Sequence, residues 1–128
     1  SYGRAFLLFQ SAGVNFGGAV MDECIRDVYA TILDRRDHPA DNSYTRYLFD
    51  QGIDKILKKI GEECAETIIA AKNGQNAETI GEIGDLTYHV LVLMALQGIT
   101  PDDVAALLNE RHGKAGNLKR FKSVDKNT

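Results

Sequence analysis

Between Ile83 and Leu96 the chain is apolar nearly all the way round a helix, and few folds accommodate such a stretch. A helix that is wet on one side carries an apolar stripe and a polar back. This one has no polar back, so it belongs inside a bundle or against a second copy. Glu82 and Asp85 stand at its head, on the side that continues into His89, Val92 and Leu96. Carboxylates on an otherwise buried helix require counter-charges or a metal, because unpaired buried charge is very costly.

The rest of the text is also helical. Pro39 and Pro101 both fall between periodic stretches. Ile25, Val28, Tyr29, Ile32 and Leu33 keep the i, i+3, i+4, i+7 spacing of a first helix that ends before Pro39. Asp41-Asn42-Ser43 reads as a loop, and Gly52 separates Tyr47-Leu48-Phe49 from the next periodic stretch. A long helix is expected from about Ile53 to Lys72, stopped by Asn73-Gly74. Another is expected from an Asn76 N-cap to about Leu96. Thr100-Pro101-Asp102-Asp103 is a capping box opening a last helix that carries Val104, Leu107 and Leu108 inward and ends at Gly113. No strand alternation occurs after residue 20. The expected fold is all-α: an antiparallel hairpin with flanking helices, which becomes a four-helix core when two copies pair.

Three segments are read. Residues 1–20 have no acidic residue and four glycines, and look like an extension read from upstream or added to the chain. Residues 21–113 form the working domain, and 114–128 a basic tail. A net charge of −3 argues against an indiscriminate polyanion binder, so no nucleic acid is expected. The longest apolar runs fall short of a membrane span. Two cysteines, Cys24 and Cys64, make neither a disulfide framework nor a zinc quartet and read as small buried thiols. Together these features describe a soluble protein of a reducing compartment, the cytoplasm.

The acidic residues are the informative feature. Glu62, Glu63 and Glu66 fall within one arc about 100° wide, shared with Lys55 and Lys59, while Leu57, Ile60, Cys64 and Ile68 take the opposite side. Alone, this is the pattern of any solvated amphipathic face. The hairpin changes its meaning: Glu62 and Glu66 lie 12 and 8 residues before Gly74, and Glu82 and Asp85 lie 8 and 11 after it. Both groups therefore stand at the same height. Five carboxylates at one level cannot all stay ionised without a cation. Oxygen-only ligation selects a hard divalent ion, Mg²⁺ or Mn²⁺, and such a site receives a polyphosphate.

Glu62-Glu63-Cys64-Ala65-Glu66, followed after fifteen residues by Glu82-Ile83-Gly84-Asp85, resembles the E-E-x-x-E…E-x-x-D signature of MazG-type all-α nucleotide pyrophosphohydrolases. Ser43-Tyr44-Thr45 with Leu48, Lys58-Lys59-Ile60-Gly61-Glu62-Glu63, Ala70-Ala71-Lys72 and Asp85 through Leu93 narrow the resemblance. Together they are similar to the phosphoribosyl-ATP pyrophosphatase family of histidine biosynthesis. The resemblance covers about residues 22–113, without the cyclohydrolase domain that some members carry. It implies hydrolysis of phosphoribosyl-ATP to phosphoribosyl-AMP and pyrophosphate with Mg²⁺. Glu62, Glu63, Glu66, Glu82 and Asp85 then hold metal, and one glutamate, with Glu62 and Glu63 the candidates, orients or deprotonates the water.

Lys59 is expected to touch a phosphate oxygen and steady the departing pyrophosphate. Ser43, Tyr44 and Thr45, on a loop before the hairpin, offer hydroxyls to ribose or phosphate, or else a plain turn or N-cap. His89, one turn past Asp85, pairs with a carboxylate or a substrate phosphate, or is a satisfied core histidine. Two other readings compete: a house-cleaning nucleoside triphosphate pyrophosphatase, and a non-enzymatic helical dimerisation module or carboxylate-bridged iron bundle. The iron bundle expects Glu-x-x-His pairs, which Glu82-x-x-Asp85 does not supply.

Overall fold

The chain changes direction at Gly52, whose φ of 88° and ψ of −175° suit only a residue without a side chain. It ends one helix and begins the next. In a computed structural model of the protein, which describes residues 20–114, the helices are α1 (Met21–Asp37), α2 (Tyr44–Gln51), α3 (Ile53–Lys72), α4 (Asn76–Gln97) and α5 (Pro101–Gly113). No strand occurs among the described residues. The fold is all-α. The segments read as 1–20 and 114–128 lie outside the described residues, apart from Val20 and Lys114.

The long helices fall where the periodicity puts them, and the local corrections are at their ends. Ser43 is an N-cap: its Oγ accepts from the Arg46 N–H at 3.1 Å. Tyr44 and Thr45 are therefore the first turn of α2 rather than a loop. Asn76 is not a cap but the first residue of α4; the N-cap is Gln75, with no side-chain cap bond. The α5 capping box is as expected, with Thr100 Oγ1 accepting from Asp103 N–H and Asp103 Oδ2 accepting from Thr100 N–H.

The two units of the chain divide after Gly98. In the first, α3 packs most extensively along α4, as an antiparallel hairpin closed at Gly74. Its core joins Tyr29 and Ile32 of α1, Leu48 of α2, Ile56 of α3, and Tyr88, Leu91, Val92, Met94 and Ala95 of α4. Arg36 Nη1 donates to the Ala95 carbonyl at 3.2 Å, placing a cation on the negative end of α4. Arg46 Nη1 in turn donates to the Arg36 carbonyl at 3.1 Å and ties α2 to α1. The second unit holds α5, where Val104, Leu107 and Leu108 are exposed rather than turned inward. The expected buried thiols are also corrected: Cys64 is exposed and Cys24 half-buried.

By length and composition alone α4 is apolar enough to cross a membrane, a test that the core helices of soluble proteins also pass. Short runs hid this, because Gly84, Thr87, Tyr88 and His89 interrupt an otherwise apolar helix. Its buried residues are nonetheless those of a core helix packed by α1, α2 and α3.

Candidate active site

The buried face of α3 is set by Ile56, Glu63 and Ala70, spaced seven residues apart, two turns of helix. That face lies on the edge of the acidic arc, roughly 100° from where the apolar spacing pointed. Leu57, Cys64 and Ile68, read as the side opposite a solvated face, are exposed. Glu63, read as one of the wet arc, is 0% exposed. Glu62, Glu66 and Lys59 flank it and are half-buried. On α4, Asp85 is 2% exposed and Glu82 half-buried, and the inward side continues through His89 and Val92 to Ala95, leaving Leu96 outside.

A chain of polar side chains from three helices surrounds Glu63. His89, itself 0% exposed, brings Nδ1 to 2.5 Å from Glu63 Oε1 and 2.9 Å from the Asp85 carbonyl oxygen. Tyr44 Oη, from the first turn of α2, stands 2.9 Å from His89 Nε2. Beside this pair, Thr45 Oγ1 and Tyr88 Oη are hydrogen-bonded at 2.5 Å. The rings pack edge to face, with centroids 5.7 Å apart for Tyr44 and His89 and 5.1 Å for Tyr88 and His89. The pairing of Thr45 with Tyr88 escaped the sequence, since nothing short of the α2–α4 contact brings position 45 to position 88.

Outside this chain, α3 and α4 line an open depression of about 360 Å³ with Glu66, Ile69, Ala70, Glu78, Gly81, Glu82 and Asp85. Three of the five predicted carboxylates line it; Glu62 and Glu63 do not. Glu78 was missed, although it lies one helical turn before Glu82 on the same face. Among the described residues no three acidic, histidine or cysteine side chains are gathered as a ready metal cluster. Four buried carboxylate oxygens nevertheless make no hydrogen bond: both of Glu63, Oε2 of Glu82 and Oδ1 of Asp85, and of these only Glu63 Oε1 has a close contact, with His89 Nδ1. Orphaned oxygens of this kind are rare because each costs its full desolvation penalty. Their all-oxygen chemistry fits a hard divalent cation.

Burial shows in the acidities. It raises Glu66 above the usual glutamate range, helped by its hydrogen bond with Glu82 and by that residue's charge, while Lys59 opposes the rise. It pushes Tyr44 up to about 12, with the charge on Glu63 adding to the effect. Burial likewise pushes Asp85 from 3.8 to about 6, with Glu63 adding to the rise and His89 opposing it. Between those two values the folded chain holds a proton that the unfolded chain has released. The metal-free protein should therefore lose stability as pH rises from about 4 to about 6, with Asp85 contributing at most about 3 kcal/mol. Chemical denaturation across that window should show a shallower fall for Asp85→Asn than for wild type. Parallel curves would refute it.

An all-α hairpin that carries E-E-x-x-E on one helix and E-x-x-D on the other, with Glu66, Glu82 and Asp85 lining one depression, is consistent with the MazG-type nucleotide pyrophosphohydrolases, a class of hydrolases. The family model for phosphoribosyl-ATP pyrophosphohydrolase matches residues 25–112, and the chain belongs to that family. It is 60% identical over 92 residues to a phosphoribosyl-ATP pyrophosphatase of Pelotomaculum thermopropionicum, covering 72% of this chain and 94% of the relative. Identity to the Streptococcus thermophilus enzyme of that name is 45% over 100 residues, covering 78% and 96%. The histidine biosynthesis bifunctional protein HisIE of Lactococcus lactis is 53% identical over 90 residues, 70% of this chain and 42% of that protein.

Proposed function

We propose that this protein hydrolyses phosphoribosyl-ATP to phosphoribosyl-AMP and pyrophosphate, an early step of histidine biosynthesis, and that it requires Mg²⁺, for which Mn²⁺ can substitute. The reading takes its substrate from the family, and the buried carboxylate oxygens of α3 and α4 that make no hydrogen bond carry the case for the cation. Glu62, Glu63, Glu66, Glu82 and Asp85 would hold it. When bound, it neutralises polyphosphate charge as a Lewis acid.

The chain's own groups divide the remaining work. Either Glu62 or Glu63 orients the attacking water and takes its proton. Lys59, half-buried and close enough to act on Glu66, steadies the charge on the leaving pyrophosphate. Ser43 offers its hydroxyl proton to ribose or phosphate while its lone pair caps α2. Thr45 and His89 are buried, Thr45 bonded to Tyr88 and His89 to the half-buried Tyr44, and they support the site from within the bundle.

The working unit is proposed to be a homodimer or a higher even oligomer acting in the cytoplasm, with no nucleic acid or membrane involved. Ile53, Leu57, Cys64 and Ile68 form one exposed stripe on α3, and Ile80 and Ile83 stand exposed on α4. Apolar stripes of this length mark association faces, and two hairpins paired along them make a four-helix core.

Exhaustive EDTA treatment should abolish turnover, and added Mg²⁺ or Mn²⁺ should restore it. Phosphorus NMR should then show pyrophosphate and phosphoribosyl-AMP from phosphoribosyl-ATP, with ATP and dNTPs much poorer substrates. Orthophosphate as the first product, or full activity in EDTA, would overturn the reading.

A further inference from the structure

Glu63 is a buried carboxylate whose two oxygens lack hydrogen-bond partners, yet its position is tightly specified. The specification comes from His89. Nδ1 faces two oxygens, the Asp85 carbonyl at 2.9 Å and Glu63 Oε1 at 2.5 Å, so that nitrogen must carry a proton. Its N–H is hydrogen-bonded to the carbonyl, and Glu63 Oε1 is held beside the same nitrogen. In the neutral ring Nε2 is then an acceptor, and the group placed to donate to it is Tyr44 Oη at 2.9 Å. A phenol is protonated at neutral pH, and burial pushes this one further up, to about 12. The three side chains come from α2, α3 and α4, and the Asp85 carbonyl shares the residue that supplies a second orphaned carboxylate oxygen.

We propose that Tyr44 and His89 are positioning residues: the Tyr44 hydroxyl fixes the His89 tautomer and ring, and His89 holds the Glu63 carboxylate for the cation. Neither touches substrate. The inference rests on the proposed use of the acidic hairpin as a cation site. Partners in this outer position orient a ligand and raise its basicity, and losing one typically lowers metal affinity or activity about 10–100-fold. The relay also explains why a short helix precedes the hairpin. Ser43 caps α2 and so sets Tyr44 at the one turn that reaches His89.

The experiment titrates Mn²⁺ into substrate-free protein, read by electron paramagnetic resonance, for wild type, Tyr44→Phe, His89→Asn, His89→Leu and Glu63→Gln. Each variant's folding is checked by circular dichroism. Tyr44→Phe should weaken Mn²⁺ binding about 10–100-fold and raise the Mg²⁺ half-saturation of turnover in step. The KM for phosphoribosyl-ATP at saturating Mg²⁺ should stay within about threefold, because no substrate contact is lost. His89→Asn keeps an N–H near the Nδ1 position and should bind Mn²⁺ more tightly than His89→Leu. A merely structural role would lower the melting temperature without moving the affinity of the folded protein. Wild-type Mn²⁺ affinity in folded Tyr44→Phe, with binding lost in Glu63→Gln, overturns the relay and leaves the cation site standing. Wild-type affinity in Glu63→Gln overturns the cation site, and the relay with it.

Discussion

Glu63→Gln and Asp85→Asn are each expected to lower turnover at least about a thousandfold while leaving the melting temperature at or above that of wild type. Removing an oxygen that holds a catalytic cation forfeits several kcal/mol of charge stabilisation, and each 1.36 kcal/mol is a factor of ten in rate. Stability moves the other way because both groups are crowded and dry. Glu63 is 0% and Asp85 2% exposed, and the charge on Glu63 adds to the rise in the Asp85 pKa. A neutral amide of the same shape removes that repulsion and the cost of burying a charge. Rate and melting temperature are measured on the same metal-free and Mg²⁺-loaded samples. The stability gain should shrink when Mg²⁺ is present, since the cation relieves the same repulsion in wild type. A variant with wild-type rate would place its residue outside the site. A variant that melts far lower would show that the carboxylate is held for structure instead.

The helices were legible in the sequence because periodicity and breakers are local: Ile53–Lys72 and Pro101–Gly113 end where Gly52, Asn73-Gly74, Thr100 and Gly113 say they should. The short helix α2 was not, because eight residues show little more than two turns of pattern, and its one clear signal, Ser43 as a cap, also fits a turn. The carboxylates Glu66, Glu82 and Asp85 are legible as one group, because the hairpin register alone brings them level, but the orientation of α3 is not. Its apolar arc, Leu57, Cys64 and Ile68, looks like the core side by every rule of amphipathicity. Within one chain the core side is instead Ile56, Glu63 and Ala70, since Glu63 must meet His89. A single sequence shows which faces are apolar; it does not say which neighbour covers each. The same limit hid Glu78, whose place on the rim depends on the α3–α4 register.

That misplaced arc leads to the second large effect. Light scattering at low micromolar concentration should give at least twice the 14.1 kDa of the chain, and Ile68→Glu combined with Ile83→Glu should return it to one copy. In the single chain Ile68 is 64% exposed, Ile80 70%, Ile83 48% and Leu57 46%. Fully burying an aliphatic side chain of this size is worth about 1.5–3 kcal/mol. Covering even half of each therefore supplies several kcal/mol per copy toward association. A glutamate at Ile68 or Ile83 stays solvated in the monomer, so it costs the isolated chain little. In the paired hairpins it must be buried without a partner, and that penalty is far larger than the contact it replaces. The monomeric variant should also lose activity at every concentration, because the α3–α4 hairpin then has no neighbour to hold Glu66 and Glu82 across the depression. A wild-type protein that is monomeric, folded and active would refute the pairing. A double variant that still scatters as a dimer would move the interface away from these two helices.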